Sequence, residues 1–393
     1  MELFWTVILF VGGACVGSFL NVLVYRLPRG ESIVFPGSHC PRCGRPIRWY
    51  DNIPIASWFI LRGRCRDCSG RISPRYAIVE FATAVLVSGL YVCYFVLDVR
   101  RGATTLPQDW PMFAAHAALL CGLLAASLVD ADLWLVPLEV LWVCSIIAVA
   151  AAGFQPHPFW TPVGPVPVAM SFAAVPGLAI AVALLRAGFI RPSFADAEPT
   201  ARGDEATDPK RPSGVAVTRA HGVNPRIEVL REVLFLTPSV ILAIAAWAVL
   251  HYVPAAGQAW ADLLDEGRHP QMAPRLLGAG AAVFGYLIGG LWIWGMRILG
   301  TLGFGKEAMG LGDVHILAAV GAATGWIVPS VAFFVAPFFG LLWAAGASLG
   351  RARRELPYGP WLAAASVLVM LAYDPFMTVL RPYGEDLVIL FGR

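Results

Sequence analysis

An all-α protein that crosses a membrane about ten times, with one small cysteine-bearing loop after its first span, is the fold this 393-residue sequence predicts. Three observations predict it. The chain is 58% hydrophobic and 14% charged, with a mean hydropathy of +0.67, a balance foreign to a soluble domain of this size. Apolar runs of about 20 residues recur along it, each able to cross a hydrocarbon core. Basic residues gather in some polar connections and are scarce in others, as expected of a polytopic chain. The formal charge of +3 is small. Only Lys210 and Lys306 of the 29 basic residues are lysine, so the arginine excess reads as compositional bias and implies no nucleic-acid partner.

Residues 1–25 form the first span, at about 3–25. It lacks the basic n-region and small-residue cleavage site of a signal peptide, and Arg26 and Arg29 follow it. It is expected to stay in the membrane with its C-terminal end in the cytoplasm.

Residues 26–75 form a cytoplasmic loop, with ten arginines against Glu31, Asp51 and Asp67. Within it, Cys40-Pro-Arg-Cys43 and Cys65-Arg-Asp-Cys68 make two Cys-x-x-Cys knuckles separated by 21 residues. Four thiolates in two such pairs can close a tetrahedral zinc site, although the separation slightly exceeds the usual window. Disulfides are the alternative, but the compartment is reducing and adjacent knuckles would make strained small rings. A site full at four sulfurs is structural, so Zn2+ here is expected to staple the loop. His39 reads as a loop residue, and Cys15, Cys93, Cys121 and Cys144 as small core residues within apolar spans.

Residues 76–153 supply spans at about 76–97, 112–130 and 133–153. Residues 154–274 hold a stiff outer connector with five prolines in 154–167, a helical pair at about 167–187 and 232–252, and the segment 188–231 between them. That segment carries seven basic and six acidic residues with almost no apolar periodicity, and is expected to be a disordered cytoplasmic linker. The 253–274 loop has only Arg268, as an outer loop should. Residues 275–393 supply spans at about 275–299, 313–329, 331–350 and 360–379, with the Arg351/Arg353/Arg354 turn inside. Arg100 and Arg101 fall on the wrong side for this orientation. Glycine-rich runs at Gly278–Ala282 and Gly285–Gly290 permit close helix approach in lipid.

The chain is otherwise poor in membrane-embedded charge, yet Asp130 ends one span and Asp313, after Gly310 and Gly312, opens another. An acid near the hydrocarbon core is costly to hold, and alternation puts both at the cytoplasmic rim. Glycine lets a turn tuck close to a neighbouring helix. Two carboxyls held together share a proton and position a water for attack on an amide. The bland alternative is a pair of helix caps. Asp132 competes with Asp130, but two residues apart on a helix they point to nearly opposite sides. Glu80 is placed as an ion-pair partner of the arginine loop, and Asp374 as an interfacial residue.

Gly17-Ser-Phe-Leu-Asn-Val-Leu-Val-Tyr-Arg-Leu-Pro28, the two knuckles, Asp51-Asn-Ile-Pro54 and Arg75-Tyr-Ala-Ile-Val-Glu80 resemble the type IV prepilin peptidase family. Val129-Asp-Ala-Asp132 with Pro137, Gly310-Leu-Gly-Asp-Val314 and Pro357-Tyr-Gly-Pro360 extend the resemblance over most of the chain. The resemblance implies a bacterial inner-membrane aspartic endopeptidase with Asp130 and Asp313 as its catalytic pair. Its substrates would be prepilins, or the pseudopilins of type II secretion, cut after a short basic leader at the cytoplasmic face, with lipid as its surroundings. It also implies N-methylation of the new N-terminus with S-adenosylmethionine, for which the sequence carries no recognisable nucleotide motif. Three departures stand out. His315 replaces the family's usual lysine, Leu138 replaces an acid after Pro137, and about 165–255 adds two spans to the usual eight. The competing function is a proton-coupled transporter using the same acids; transporter acids sit nearer the midplane at broken helices.

Overall fold

The computed structural model of the protein describes residues 1–194, 224–348 and 358–379. Among them, all extended regular structure is helical: α1 (Glu2–Arg26), α2 (Ala56–Ile60), α3 (Arg75–Tyr91), α4 (Leu106–Leu133), α5 (Leu138–Phe154) and α6 (Pro165–Arg186). The remainder are α7 (Pro225–Tyr252), α8 (Pro254–Leu263), α9 (Met272–Phe304), α10 (Leu311–Thr324), α11 (Ile327–Ser348) and α12 (Gly359–Leu371). Seven helices are long and apolar enough to cross a membrane: α1, α3 with its π-turn at Val92–Val96, α4, α6, α7, α9 and α11. α12 and the following Tyr373–Val379 pass together although bent by 81°. α5 and α10 are shorter apolar helices of 17 and 14 residues. Each expected span has its helix, and the all-α polytopic class holds.

Local chemistry sets the ends. Proline within the first two positions opens α4, α6, α7 and α8, where a missing N–H costs nothing. α7 is capped by Asn224, whose side chain accepts the Arg226 N–H at 3.0 Å. It starts at Pro225, seven residues before the expected span and inside the expected linker, because Glu228 and Glu232 find buried partners there. Residues 195–223 of that linker, the Arg351/Arg353/Arg354 turn and Pro357 lie outside the described residues. The span expected over 313–329 stops at Thr324. Gly325 turns to φ +81°, and a Cβ there would lie 2.6 Å from the Thr161 backbone nitrogen.

α10 sits at the centre, packed by α9, α5, α11, α12 and α4, and is buried from Asp313 through Thr324 except at His315. Its contact with α9 is backbone on backbone. A Cβ at Gly285 would strike the Gly321 carbonyl, and one at Gly289 the Leu317 carbonyl. The glycine run does what small residues do between membrane helices. α1 docks on α3 in the same way, Gly13 against Ala84 and Gly17 against Glu80.

The end of the bundle away from Asp130 and Asp313 holds a polar knot. Arg100, expected on the wrong side of the membrane, is 2% exposed and sandwiched between the rings of Phe159 (3.9 Å) and Tyr373 (4.4 Å). It donates to the Phe159 carbonyl at 3.1 Å. Its neighbour Arg101 offers its backbone N–H to Asp374 at 2.8 Å, so that acid serves a turn. Deeper in, His116 Nε2 faces the Ala323 carbonyl at 2.8 Å and must donate. Its Nδ1 therefore accepts from the Tyr94 hydroxyl at 2.9 Å.

Candidate active site and metal centre

Asp130 and Asp313 come together at one end of the bundle. Asp130 lies in the last turn of α4, whose carbonyl at Asp130 receives the Trp134 N–H at 2.9 Å; Trp134 itself takes the left-handed conformation, φ +58°. The chain then passes Val136 and Pro137 into α5. Asp313 is the third residue of α10, after the extended cap Gly310. Both are buried, at 7% and 9% exposure, and Asp313 lies near enough to feel the charge of Asp130. Val136 brings the two ends into register. A Cβ on Gly312 would lie 2.5 Å from Val136 Cβ and closer still to its Cγ2, so only glycine lets α10 abut the segment after Asp130.

A third element completes the site. The Gly359 N–H, at the N-terminus of α12, donates to Asp130 Oδ2 at 3.2 Å. A Cβ at Gly359 would lie 2.6 Å from that oxygen. A helix N-terminus aimed at a carboxylate favours its charge. Asp132 points elsewhere, pairing with Arg75 at 2.6 Å while its side chain stays 44% exposed. The two-residue spacing therefore separates a buried acid from a surface one. His315 also turns away from Asp313, its Nδ1 lying 3.4 Å from the Trp142 indole nitrogen.

The four loop cysteines also converge. Cys40, Cys43, Cys65 and Cys68 have sulfurs within 4.8 Å of one another, and all are free thiols. Each knuckle is the same small hairpin. Cys40 N–H bonds Arg45 O and Gly44 N–H returns to Cys40 O; Cys65 N–H bonds Gly70 O and Ser69 N–H returns to Cys65 O. The left-handed turn residues are Gly44 (φ +69°) and Ser69 (φ +54°). A tetrahedron of sulfurs around zinc, with bonds of about 2.3 Å, has edges of about 3.8 Å. The Cys40–Cys68 separation is 3.8 Å. Backbone N–H groups of Arg42 and Cys43 turned to Cys40 lower its thiol pKa to about 6, which favours the thiolate a metal needs. The donor set fits a structural metal.

The loop is tied to the carboxylate end of the bundle. Arg75 at its end holds Asp132, and Asp51 receives a forked bond from Arg66 at 2.6 and 2.8 Å. Hydrogen bonding from Arg66 holds the Asp51 carboxyl below the usual range. Glu80 accepts the Ile55 backbone N–H at 2.6 Å and pins that residue at φ +62°, instead of pairing with the arginines as expected. Arg45, Arg66 and Arg75 of the loop are instead paired with Asp67, Asp51 and Asp132.

Two groups were missed by sequence reasoning. Gly359 was only a motif letter. Arg297 lay unnoticed inside an apolar span, although the structure buries it beside Glu232 and Glu307. An arginine two residues from a predicted span end was the available signal, and it corrects the expectation that the chain is otherwise poor in embedded charge.

Residues 11–94 match the family described as Bacterial Peptidase A24 N-terminal domain. The chain is 43% identical over 137 residues to a prepilin leader peptidase/N-methyltransferase of Myxococcus xanthus, covering 35% of this chain and 37% of that protein. It is 37% identical over 147 residues to a type 4 prepilin-like proteins leader peptide-processing enzyme of Escherichia coli, covering 30% and 55%. It is 38% identical over 157 residues to a prepilin leader peptidase/N-methyltransferase of Pseudomonas aeruginosa, covering 33% and 50%. The match thus spans about half, or less, of these relatives' lengths. No solved structure matches. With these relatives and its apolar spans, the chain is a multi-pass inner-membrane protein.

Proposed function

We propose that this chain, a member of the type IV prepilin peptidase family by these likenesses, is an aspartic endopeptidase that removes the leader from pilin-like substrates at the cytoplasmic membrane face. The observation that carries the reading is the meeting of Asp130 and Asp313, from helices far apart in sequence, at the end of the bundle that also bears the basic loop. Two carboxyls sharing one proton suit amide hydrolysis. One accepts a proton from the attacking water, and the other donates to the scissile carbonyl and then to the leaving amine. Gly359 orients Asp130 through its N–H, and Val136 seats the helix end that carries Asp313.

Zinc would be held by Cys40, Cys43, Cys65 and Cys68, where it would supply a cross-link between the two knuckles. The relatives' names include N-methyltransferase, and we extend that activity, with S-adenosylmethionine as methyl donor, to this chain as part of the proposal. Substrates would be prepilins or type II secretion pseudopilins. The placement of both acids at one end favours this reading over proton-coupled transport, which needs a site open to each side in turn.

The test is mass spectrometry of a pilin-like substrate co-expressed with the full chain. The expected product lacks its leader and carries one added methyl on its new N-terminus. Intact substrate beside wild-type enzyme that is correctly inserted would refute the peptidase, and a cleaved but unmethylated product would remove only the methyltransferase.

A further inference from the structure

Arg297, near the inner end of α9, is 1% exposed, and each of its nitrogens is engaged. Nε donates to Glu232 of α7 at 2.7 Å, Nη2 faces Ser193 Oγ at 3.4 Å, and Nη1 donates to Glu307 at 2.6 Å and to the Met309 carbonyl. Glu232 is as fully committed. It accepts Trp294 Nε1 at 2.6 Å and the Ser193 hydroxyl at 2.5 Å. Glu228, one turn earlier, accepts the Phe194 N–H at 2.5 Å and pairs with Arg231 at 2.9 Å. Partners on one side of the guanidinium thus come from α7 and the segment after α6. Those on the other side come from the 305–310 loop that leads to Asp313.

That loop has little stiffness of its own. It leaves α9 through Gly305 at φ +68° and enters α10 through Gly310. Ala308 rests against Gly300, where a Cβ would lie 2.5 Å from it, and Met309 packs against the core, while the loop's polar hold is Arg297. The Met309 carbonyl that Arg297 grips is four residues before Asp313.

We propose that the inner ends of α6 and α7 act as a positioning clasp on the Asp313 loop, with Glu232 fixing Arg297 and Arg297 fixing residues 305–310. Arg297 and Glu232 are positioning residues, since neither reaches a reacting atom. The proposal rests on the reading of Asp313 as a catalytic carboxylate. A desolvated, fully bonded ion pair is costly to leave half-paired, so neutralising Glu232 should loosen the guanidinium and the loop together.

The full-length protein offers a direct probe, because Lys306 in this exposed loop and Lys210 are its only lysines. Endoproteinase Lys-C products therefore map each cut to one site. Glu232→Gln should speed cutting after Lys306 about tenfold and lower kcat about tenfold, leaving KM within about twofold and metal content unchanged. An inserted Glu232→Gln protein with wild-type cutting and wild-type kcat would overturn the clasp. Should Glu232→Gln fail to insert, Glu307→Gln, at the partly exposed loop side, carries the same two readouts. If the wild-type enzyme cleaves no pilin-like substrate, the functional reading fails separately, and Lys306 alone decides the clasp: faster cutting upholds it, unchanged cutting overturns it.

Discussion

Replacing Gly312 by alanine isolates the contact that brings the two acids together. The added carbon would sit 2.5 Å from Val136 Cβ and closer to Cγ2, whereas carbons in contact prefer about 3.5–4.0 Å. Relief requires a shift of about 1 Å between the start of α10 and the segment after Asp130, and a misplacement of that size costs roughly a hundredfold in rate. That is about 2.7 kcal/mol of activation free energy, comparable with the roughly 1–3 kcal/mol by which overpacking destabilises a fold. Helix propensity acts the other way, since alanine is favoured over glycine by about 1 kcal/mol inside a helix. Single-turnover leader removal in proteoliposomes, with helicity and elution volume as controls, should show the hundredfold loss in an inserted protein. Val136→Gly removes both offending carbons, so the double variant should recover most of the rate. A wild-type rate for Gly312→Ala, or a folded double variant as slow as the single one, would refute the reasoning.

Asp130→Asn and Asp313→Asn should each abolish leader removal, and the double variant should lose no more, because a dyad acts as a unit; processing by Asp130→Asn would return attention to Asp132. Elemental analysis of freshly purified, reduced protein should give about one zinc per chain. Changing Cys43 to serine should lower both metal content and the protease resistance of the 26–75 loop, with metal-free wild-type protein as the contrary result. Because His315 turns to Trp142, the pH–rate profile of His315→Lys should overlay that of the wild type, and a displaced profile would show that the side chain reaches Asp313.

The fold class was legible because hydrophobic length is a one-dimensional property, and the four cysteines because knuckle spacing is local. The choice of Asp130 over Asp132 was half legible. Helical periodicity separates their directions, but only the pairing of Asp132 with Arg75 shows which one faces water. Span ends were less so. Gly325 ends α10 because Thr161, from a distant connector, presses on it, and nothing near 325 in the sequence announces that neighbour. Arg297 stood in the sequence, but its role was hidden for the same reason. A charge in an apolar run reads as an accident until Glu232, 65 residues away, is placed beside it.

The shortness of α10 has an electrical consequence. Fourteen residues rise about 21 Å, some 9 Å less than a hydrocarbon core of about 30 Å. At the Thr324 end the shortfall is filled by protein: Thr161 abuts Gly325, Trp160 donates to the Ala322 carbonyl at 2.8 Å, and Phe159 and Trp160 are each 2% exposed. That packed stopper, closed around the buried Arg100 and His116, separates this end of the bundle from the end where the carboxyls lie. On the proposed reading of the site, protons would reach Asp130 and Asp313 from one side only, so an energised membrane could house two titratable acids without discharging its gradient through them.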